Sequence, residues 1–198
     1  MPKKLFFPGI LRQFNRVFYQ ARRCRDIRDA TAMLLATSSR SGKPSLRAVL
    51  LKGIDDRGFV FYTNFDSRKG RLLQNNPYAA ITFLWHPIGQ QVHIEGRVKR
   101  VSEAEVDAYW ASRPRESQLG AWASLQSRKL SSRGRLVSRF KAYSRRFQGK
   151  PVPRPASWHG FRLIPSRIEF WKEGPHRLHY RWLYEKHGNT WMNTMLYP

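Results

Sequence analysis

Residues 58–77, GFVFYTNFDSRKGRLLQNNP, change period in mid-stretch. The alternation of GFVFYT reads as a strand, and beyond Ser67 the apolar residues Leu72 and Leu73 supply one side of a helix. Asp66 and Ser67 are both candidate N-caps, and Pro77 after Asn75-Asn76 stops the helix. Arg68 and Lys69 stand in the first turn, where the helix dipole disfavours cations. Two readings fit. One is a capped surface helix with two solvated cations; the other is a helix start whose free N–H groups and cations receive an anion such as a phosphate.

Outward from this joint the signals are mostly strands. Before it come AMLLATSS (32–39), the turn SRSGKP, LRAVLLKG (46–53) and the turn IDDRG. After it come AAITFLW (79–85), the break HPIG and QQVHIEGRVKRV (90–101), in which Val92, Ile94 and Val98 share a side and Gly96 suggests a bulge. Ser102-Glu103-Ala104-Glu105 is a capping box, opening a helix that ends at Pro114. Residues 128–150 read as a helix with one buried stripe (Leu136, Val137, Phe140, Tyr143, Phe147) and a basic outer face. PVPRP (151–155) is an extended linker, followed by strands GFRLIP, RIEFWK and LHYRWLYE, the turn HGN and the terminal TWMNTMLY. Six or more antiparallel strands with interspersed helices predict an α+β chain, a mainly antiparallel, closed or nearly closed β-barrel with peripheral helices.

Residues 9–23, GILRQFNRVFYQARR, place Ile10, Leu11, Phe14, Val17, Phe18 and Ala21 on one face. Such an arginine-rich, acid-free segment has the composition of a transit peptide as well as that of a packed helix. It runs on into Asp26 and Asp29 without a serine-rich stretch, which favours the helix. We therefore divide the chain into an N-terminal amphipathic helix (1–29) and one domain (30–198).

With 198 residues, 41% of them hydrophobic, the chain is expected to fold as a single domain. No apolar run approaches the ~20 residues needed to span a bilayer, so it reads as soluble, with no membrane partner. Cys24 is the only cysteine, which excludes an internal disulfide and fits a reducing, cytoplasmic compartment. The charge is unusual: 37 Lys and Arg against 13 Asp and Glu, net +24, which predicts attraction to polyanions. Residues 128–150 alone hold nine cations and no acid. That stretch lacks a groove-reading motif, so nucleic-acid binding is expected to be weak and non-specific at most.

One cysteine and six scattered histidines offer no paired ligand spacing, so no metal site is expected. The sequence holds no Walker loop, no dinucleotide fingerprint and no nucleophile elbow. What remains beside the strands is a set of cations, hydroxyls and amides: Arg47, Lys52, Tyr62, Thr63, Arg68, Lys69, Gln91, Arg113, Ser117, Gln126 and Ser127. Such a set suits a phosphorylated, polar-edged ring better than it suits hydrolysis. Tyr109 and Arg113, four apart, face the same way; without further context Tyr109 is as readily a half-buried core aromatic, and Trp171 reads as core.

RAVLLKG (47–53), GFVFYTNFDSRKGRLLQNNP, QQVHIEGRV, SRPRESQLGAWASLQS, IEFWKEGPHRLHYR and the terminal Pro resemble the pyridoxine/pyridoxamine 5′-phosphate oxidase family, collinearly from about Ala30 to Pro198. The resemblance implies an FMN-binding split β-barrel acting as a homodimer with flavin at the subunit interface. It implies oxidation of pyridoxamine or pyridoxine 5′-phosphate to pyridoxal 5′-phosphate, with O2 reoxidising the flavin to give H2O2. By the same resemblance Arg68 and Lys69 bind the FMN phosphate. Arg47, Ala48, Val49, Leu50, Leu51, Lys52, Tyr62 and Thr63 lie against the flavin, and Gln91, Gln126, Ser127, Trp171 and Arg181 complete its shell, some of them from the partner. Lys52, Tyr109, Arg113 and Ser117 would hold the substrate phosphate, and Arg177, Leu178 and His179 would lie over the substrate ring, with Arg177 and His179 nearest the chemistry. Three departures stand out: Tyr180 replaces the family's Asp after Arg-Leu-His, MPKKLFFPG has no clear match to its arginine-rich N-terminal motif, and the ending WMNTMLYP lacks the usual basic residue before its terminal segment.

Overall fold

The computed structural model describes residues 4–5 and 7–198; residues 1–3 and 6 of MPKKLFFPG lie outside the described residues. The elements run β1 (Lys4–Leu5), α1 (Phe7–Arg23), β2 (Ala32–Ser38), β3 (Pro44–Leu50), β4 (Gly53–Asp55), β5 (Gly58–Asn64), α2 (Arg68–Asn75), β6 (Tyr78–Trp85), β7 (Gln90–Arg100), α3 (Glu103–Ala111), α4 (Arg115–Ala123), α5 (Arg133–Arg146), β8 (Trp158–Lys172), β9 (Tyr180–His187) and β10 (Thr190–Met195). Short 3-10 turns occupy His86–Ile88 and Pro175–Arg177.

Every strand pairing is antiparallel. β3 pairs with β2, β2 with β6, β6 with β7, and β7 with β8; the first half of β8 then pairs with β5, and β5 with β4. β4 continues β3 past a kink at Leu51-Lys52, where Leu51 N–H donates to Thr31 O (2.9 Å) and Lys52 N–H to Val60 O (2.8 Å). The chain thus passes from the ladder of β2 to that of β5, and the sheet curls round on itself. This kink is why LRAVLLKG, expected as one strand, ends at Leu50. The second half of β8 pairs with β9, and β10 and β1 extend the sheet beyond it.

GFRLIP and RIEFWK, expected as two strands, are one. Glu95 pairs with Arg167 and Gly96 with Pro165, so Ser166 is the extra residue of a bulge at the Gly96 position. The bulge accommodates a proline, which has no N–H for the ladder, inside a long strand.

The barrel interior is filled by Leu35, Phe59, Phe61, Ile81, Phe83, Val92, Ile94 and Leu163. α1 closes it with Ile10, Phe14, Val17 and Ala21, while Leu11 and Phe18 are half-buried. The Phe14 ring meets Phe59 at 5.1 Å and Phe83 at 5.2 Å, both edge-on. Burying such a ring is worth roughly 1.5–3 kcal/mol, which fixes the helix to the barrel.

A second cluster covers the outer face of β5: Val60, Val106, Trp110, Leu119, Phe147, Val152 and Trp158. It is built by α3, α4 and the linker PVPRP. α3 opens as expected, with Ser102 Oγ accepting from Glu105 N–H and Glu105 reaching back to Ser102 N–H. α4 was not anticipated. On α5 the stripe is narrower than expected: Phe147 is buried, Leu136, Phe140 and Tyr143 are half-buried, and Val137 is 44% exposed. Val137 lies a quarter-turn off the line facing α4, the helix against which α5 packs. No described helix is long and apolar enough to cross a membrane.

Candidate functional site

The joint after β5 is held by a short series of bonds. Ser67, not Asp66, is the cap: its Oγ accepts from Gly70 N–H (3.2 Å) and donates to Asn64 O (2.6 Å). A Cβ on Gly70 would run into the carbonyl oxygens of Asn64 and Phe65, so this close approach demands glycine. The tight turn carries Lys69 back toward the barrel, where its Nζ donates to Gln126 Oε1 (2.8 Å). Thr63 Oγ1 donates to the same oxygen (3.3 Å). Arg47 reaches across from β3, donating to Leu35 O (2.9 Å), Thr37 Oγ1 (2.8 Å) and Ser45 Oγ (2.6 Å).

Arg47, Arg68 and Lys69 form a cationic group. Among the described residues none of the three belongs to an ion pair. Burial, then Arg47, brings the Lys69 ammonium down to about 8. Burial, then Arg68, lowers Arg47 as well. Cations that depress one another in this way are stabilised by an anion placed among them.

Beside this group lies a cavity of about 440 Å³, lined among others by Ala48, Val49, Leu50, Lys52, Tyr62, Thr63, Lys69, Tyr109, Arg113, Ser117, Gln126 and Trp158. One wall is aromatic: Tyr62 stacks on Tyr109 (4.1 Å) and on Trp158 (5.2 Å). Arg113 lies over Trp110 (5.1 Å) and Trp158 (4.9 Å), with its Nη1 buried and without a hydrogen-bond partner. Arg162 Nε is orphaned too, but Arg162 is neutralised by Asp55 (3.0 Å) and Glu105 (2.7 Å), whereas among the described residues no acid pairs with Arg113. Burial lowers the Arg113 guanidinium from its ordinary range, and Tyr109 partly opposes this. Ser117 is in the first turn of α4, whose N-terminus has Pro114 at the cap and no side-chain cap bond. An orphaned guanidinium donor and a serine at a helix start without a side-chain cap make a second anion-receiving corner.

Not every expected residue reaches this cavity. Arg68 is exposed at the joint and Ser127, at φ 70°, follows Gln126. The Leu51 side chain is core (5% exposed) and its N–H is engaged by Thr31, leaving only its carbonyl for a ligand. Gln91, Trp171 and Arg181 form a separate row across β7, β8 and β9, Gln91 opposite Trp171 and Trp171 opposite Arg181. His179 packs on Trp171 (4.7 Å), next to exposed Arg177 and Leu178. Arg181 is held by Glu169 (2.7 and 3.1 Å) and donates to Tyr197 O. Trp158 at the cavity and Trp171 in this row are the two ends of β8, on the order of 40 Å of strand at about 3.3 Å per residue. One chain therefore carries two groups of expected residues, well apart.

The second group has its own local order. His176 and Arg177 have positive φ (55° and 64°), and Gly174 N–H donates to His179 Nδ1 (3.3 Å). An amide can only donate, so Nδ1 keeps its lone pair and the ring proton resides on Nε2. A Cβ on Gly174 would strike the Leu178 carbonyl oxygen. Sequence reading missed Trp110 and Trp158 as the cradle of Arg113; Trp110, three residues before Arg113, was the available signal. No group of His, Cys, Asp or Glu among the described residues could hold a metal ion.

The curled antiparallel barrel has the fold of the FMN-binding split barrels. PhzG from Burkholderia lata 383, solved in complex with tetrahydrophenazine-1-carboxylic acid, superposes with a TM-score of 0.87 at 35% identity, covering 96% of this chain and 91% of that one. A family model described as pyridoxamine 5′-phosphate oxidase matches residues 21–147, and one described as the pyridoxine 5′-phosphate oxidase C-terminal dimerisation region matches residues 158–198. A pyridoxine/pyridoxamine 5′-phosphate oxidase of Alkalilimnicola ehrlichii is 54% identical over 189 residues (95% of this chain, 96% of that protein), and one of Myxococcus xanthus is 49% identical over 191 residues (96% and 92%). The chain belongs to the pyridoxine/pyridoxamine 5′-phosphate oxidase family of FMN-dependent oxidoreductases.

Proposed function

We propose that this chain binds FMN and oxidises pyridoxamine or pyridoxine 5′-phosphate to pyridoxal 5′-phosphate, with O2 as acceptor and H2O2 as the second product. The observation that carries the reading is Arg113, an unpaired guanidinium with an orphaned buried donor facing a cavity that a second, separate cation group also borders. Two anion-receiving corners suit two phosphates, one from the cofactor and one from the substrate.

Arg68, Lys69 and Arg47 would hold the FMN phosphate, and Ala48 to Lys52, Tyr62, Thr63, Gln126 and Ser127 would border the rest. FMN, when bound, supplies the two-electron acceptor for the substrate's C4′ position. Lys52, Tyr109, Arg113 and Ser117 fix the substrate by its phosphate, at the end away from the reacting carbon. A homodimer would bring Gln91, Trp171, Arg177, Leu178, His179 and Arg181 of a second copy to this cavity. His179 would then present its Nε2–H as a donor, while Arg177 supplies positive charge at any working pH. A chain with a single thiol and no disulfide suits the cytoplasm.

Tyr180 favours a second reading. It stands where the resemblance expects Asp and stacks on Trp182 at 5.7 Å, an apolar platform that would suit another ring substrate. The deciding experiment is the visible spectrum of the purified protein, then peroxide release with pyridoxamine 5′-phosphate and with tetrahydrophenazine-1-carboxylic acid in parallel. A flavin spectrum with peroxide from the first substrate alone is expected. Peroxide from the second alone would transfer the assignment to the sibling oxidase, and a protein that takes up no flavin would overturn both.

A further inference from the structure

We propose that the outward face of α5 docks the phosphate backbone of a nucleic-acid duplex, without reading its sequence. The oxidase reading leaves the charge of residues 128–150 without a role. None of their nine cations belongs to an ion pair among the described residues. Arg139 and Arg146 are turned inward, Arg139 donating to Ala123 O (2.7 Å) and Arg146 lying over Trp122 (6.0 Å). At 100° per residue, Lys141 and Arg145 project from the side opposite Leu136, Phe140 and Tyr143, with Arg135 on their flank. All three cations are exposed, and the residues between them are small: Gly134, Ser138 and Ala142. A polyanion can therefore approach the helix closely.

The helix also breaks its own electrostatic rule. Its first turn carries no acid but does carry Arg133 and Arg135, which oppose the dipole unless an anion lies nearby. A membrane surface fits less well, because the aromatic stripe that would have to insert is already packed: Tyr143 lies against Trp122 at 5.4 Å and Phe147 against it at 5.5 Å. A second copy of the chain meeting this face with its own α5 is disfavoured, because the exposed Arg135, Lys141 and Arg145 would face like charges.

The test uses flavin-loaded protein and a fluorescent DNA duplex of arbitrary sequence, titrated at several salt concentrations. Arg135→Gln/Lys141→Gln/Arg145→Gln removes three phosphate contacts, which should flatten the slope of log K against log salt by about 2.7. Over a rise from about 50 to 200 mM salt, that is a salt-dependent loss of about 40-fold in the native protein that the variant no longer shows. A matched variant on α1, Arg12→Gln/Arg16→Gln/Arg22→Gln, changes net charge equally and should leave the slope nearly as it was. Equal flattening by both variants would mean that net charge alone attracts the duplex, and unchanged binding by the α5 variant would mean that the helix is not the face; either overturns the proposal. Capture by phosphatidylserine vesicles at a salt concentration where the duplex does not bind would also overturn it, in favour of a membrane.

Discussion

Arg113→Met tests the substrate corner, because the structure predicts a large loss of function without a matching loss of stability. Methionine keeps much of the side-chain volume between Trp110 and Trp158 but removes the charge and the orphaned Nη1. A buried donor without a partner costs about 1–3 kcal/mol, so its removal stabilises the protein without ligand. The lost cation–π contacts offset this by about 0.5–2 kcal/mol. The net change runs from about 1 kcal/mol lost to about 2.5 kcal/mol gained, so any fall in Tm is no more than about 4 °C for a chain of this length. Losing a charge-assisted bond to a phosphate, in contrast, costs about 1.5–3 kcal/mol, or about 10- to 150-fold in KM. The assay is steady-state peroxide production over a range of pyridoxamine 5′-phosphate concentrations, beside thermal unfolding of flavin-free protein. Flavin content should not change. A variant that melts about 8 °C lower or more with KM unaltered would refute the reasoning, because Arg113 would then be a packing residue.

Other outcomes follow from the cofactor corner and from the loop at His179. Arg68→Ala/Lys69→Ala should lose two charge-assisted phosphate bonds at about 1.5–3 kcal/mol each, and retention of FMN at native affinity, measured by fluorescence titration, would remove the assignment. Lys69 titrates in the free protein at about 8, lowered from 10.5, and a phosphate favours its charged form. FMN affinity should therefore be level below about pH 7.5 and fall by up to about tenfold per unit above pH 8, whereas Lys69→Arg should stay level. For the same depressed value, the charged Lys69 disfavours folding of the flavin-free protein below about pH 8, and this penalty is relieved as pH rises toward the unfolded value. Gly174→Ala should displace the Leu178 carbonyl and free His179 Nδ1, lowering kcat by about 100-fold with flavin retained. Nitrogen NMR of native His179 should find Nδ1 unprotonated in the neutral ring, and a protonated Nδ1 would rule out the tautomer.

Most of the barrel is legible in the sequence because its strands alternate cleanly and their ends carry turn residues. The joint at Ser67 is legible for the same reason, since a capping serine, a glycine and two misplaced cations coincide there. α4 is not: RESQLGAWA carries Gly120 within it and no continuous apolar stripe, and it is held by Leu119 and Gln118 against α3. β8 reads as two strands because Pro165 normally ends a run, and only the partner strand's Gly96 reveals the bulge that tolerates it. The residue types of the site can be read, but their grouping cannot. The resemblance has part of the shell of Gln91, Gln126, Ser127, Trp171 and Arg181 coming from a partner but not which part, and only the structure shows that β8 separates Trp171 from the cavity by most of its length.

The placement of the acids identifies the site as clearly as the placement of the cations. Thirteen acids face 37 cations, so most arginines and lysines must do without a partner, and which ones are given a partner is informative. Asp55 and Glu105 close on Arg57 and Arg162, Glu103 and Asp107 on Arg154, Glu95 and Glu185 on Arg167, and Glu169 on Arg181. Arg162 holds Glu105 down to about 2, so that pair stays ionised through the neutral range and ties α3 to the barrel. Apart from Arg181, which the proposed dimer would also bring to the flavin, these pairs hold the scaffold: they fasten α3, the linker before β8 and the β7–β8 ladder. Arg47, Lys69 and Arg113 are at least as enclosed as several of the paired arginines, yet among the described residues none is paired with an acid, and burial depresses all three. Enclosing uncompensated charge costs stability, and a fold that neutralises most of its enclosed arginines while leaving these bare fits the proposed binding of two phosphates.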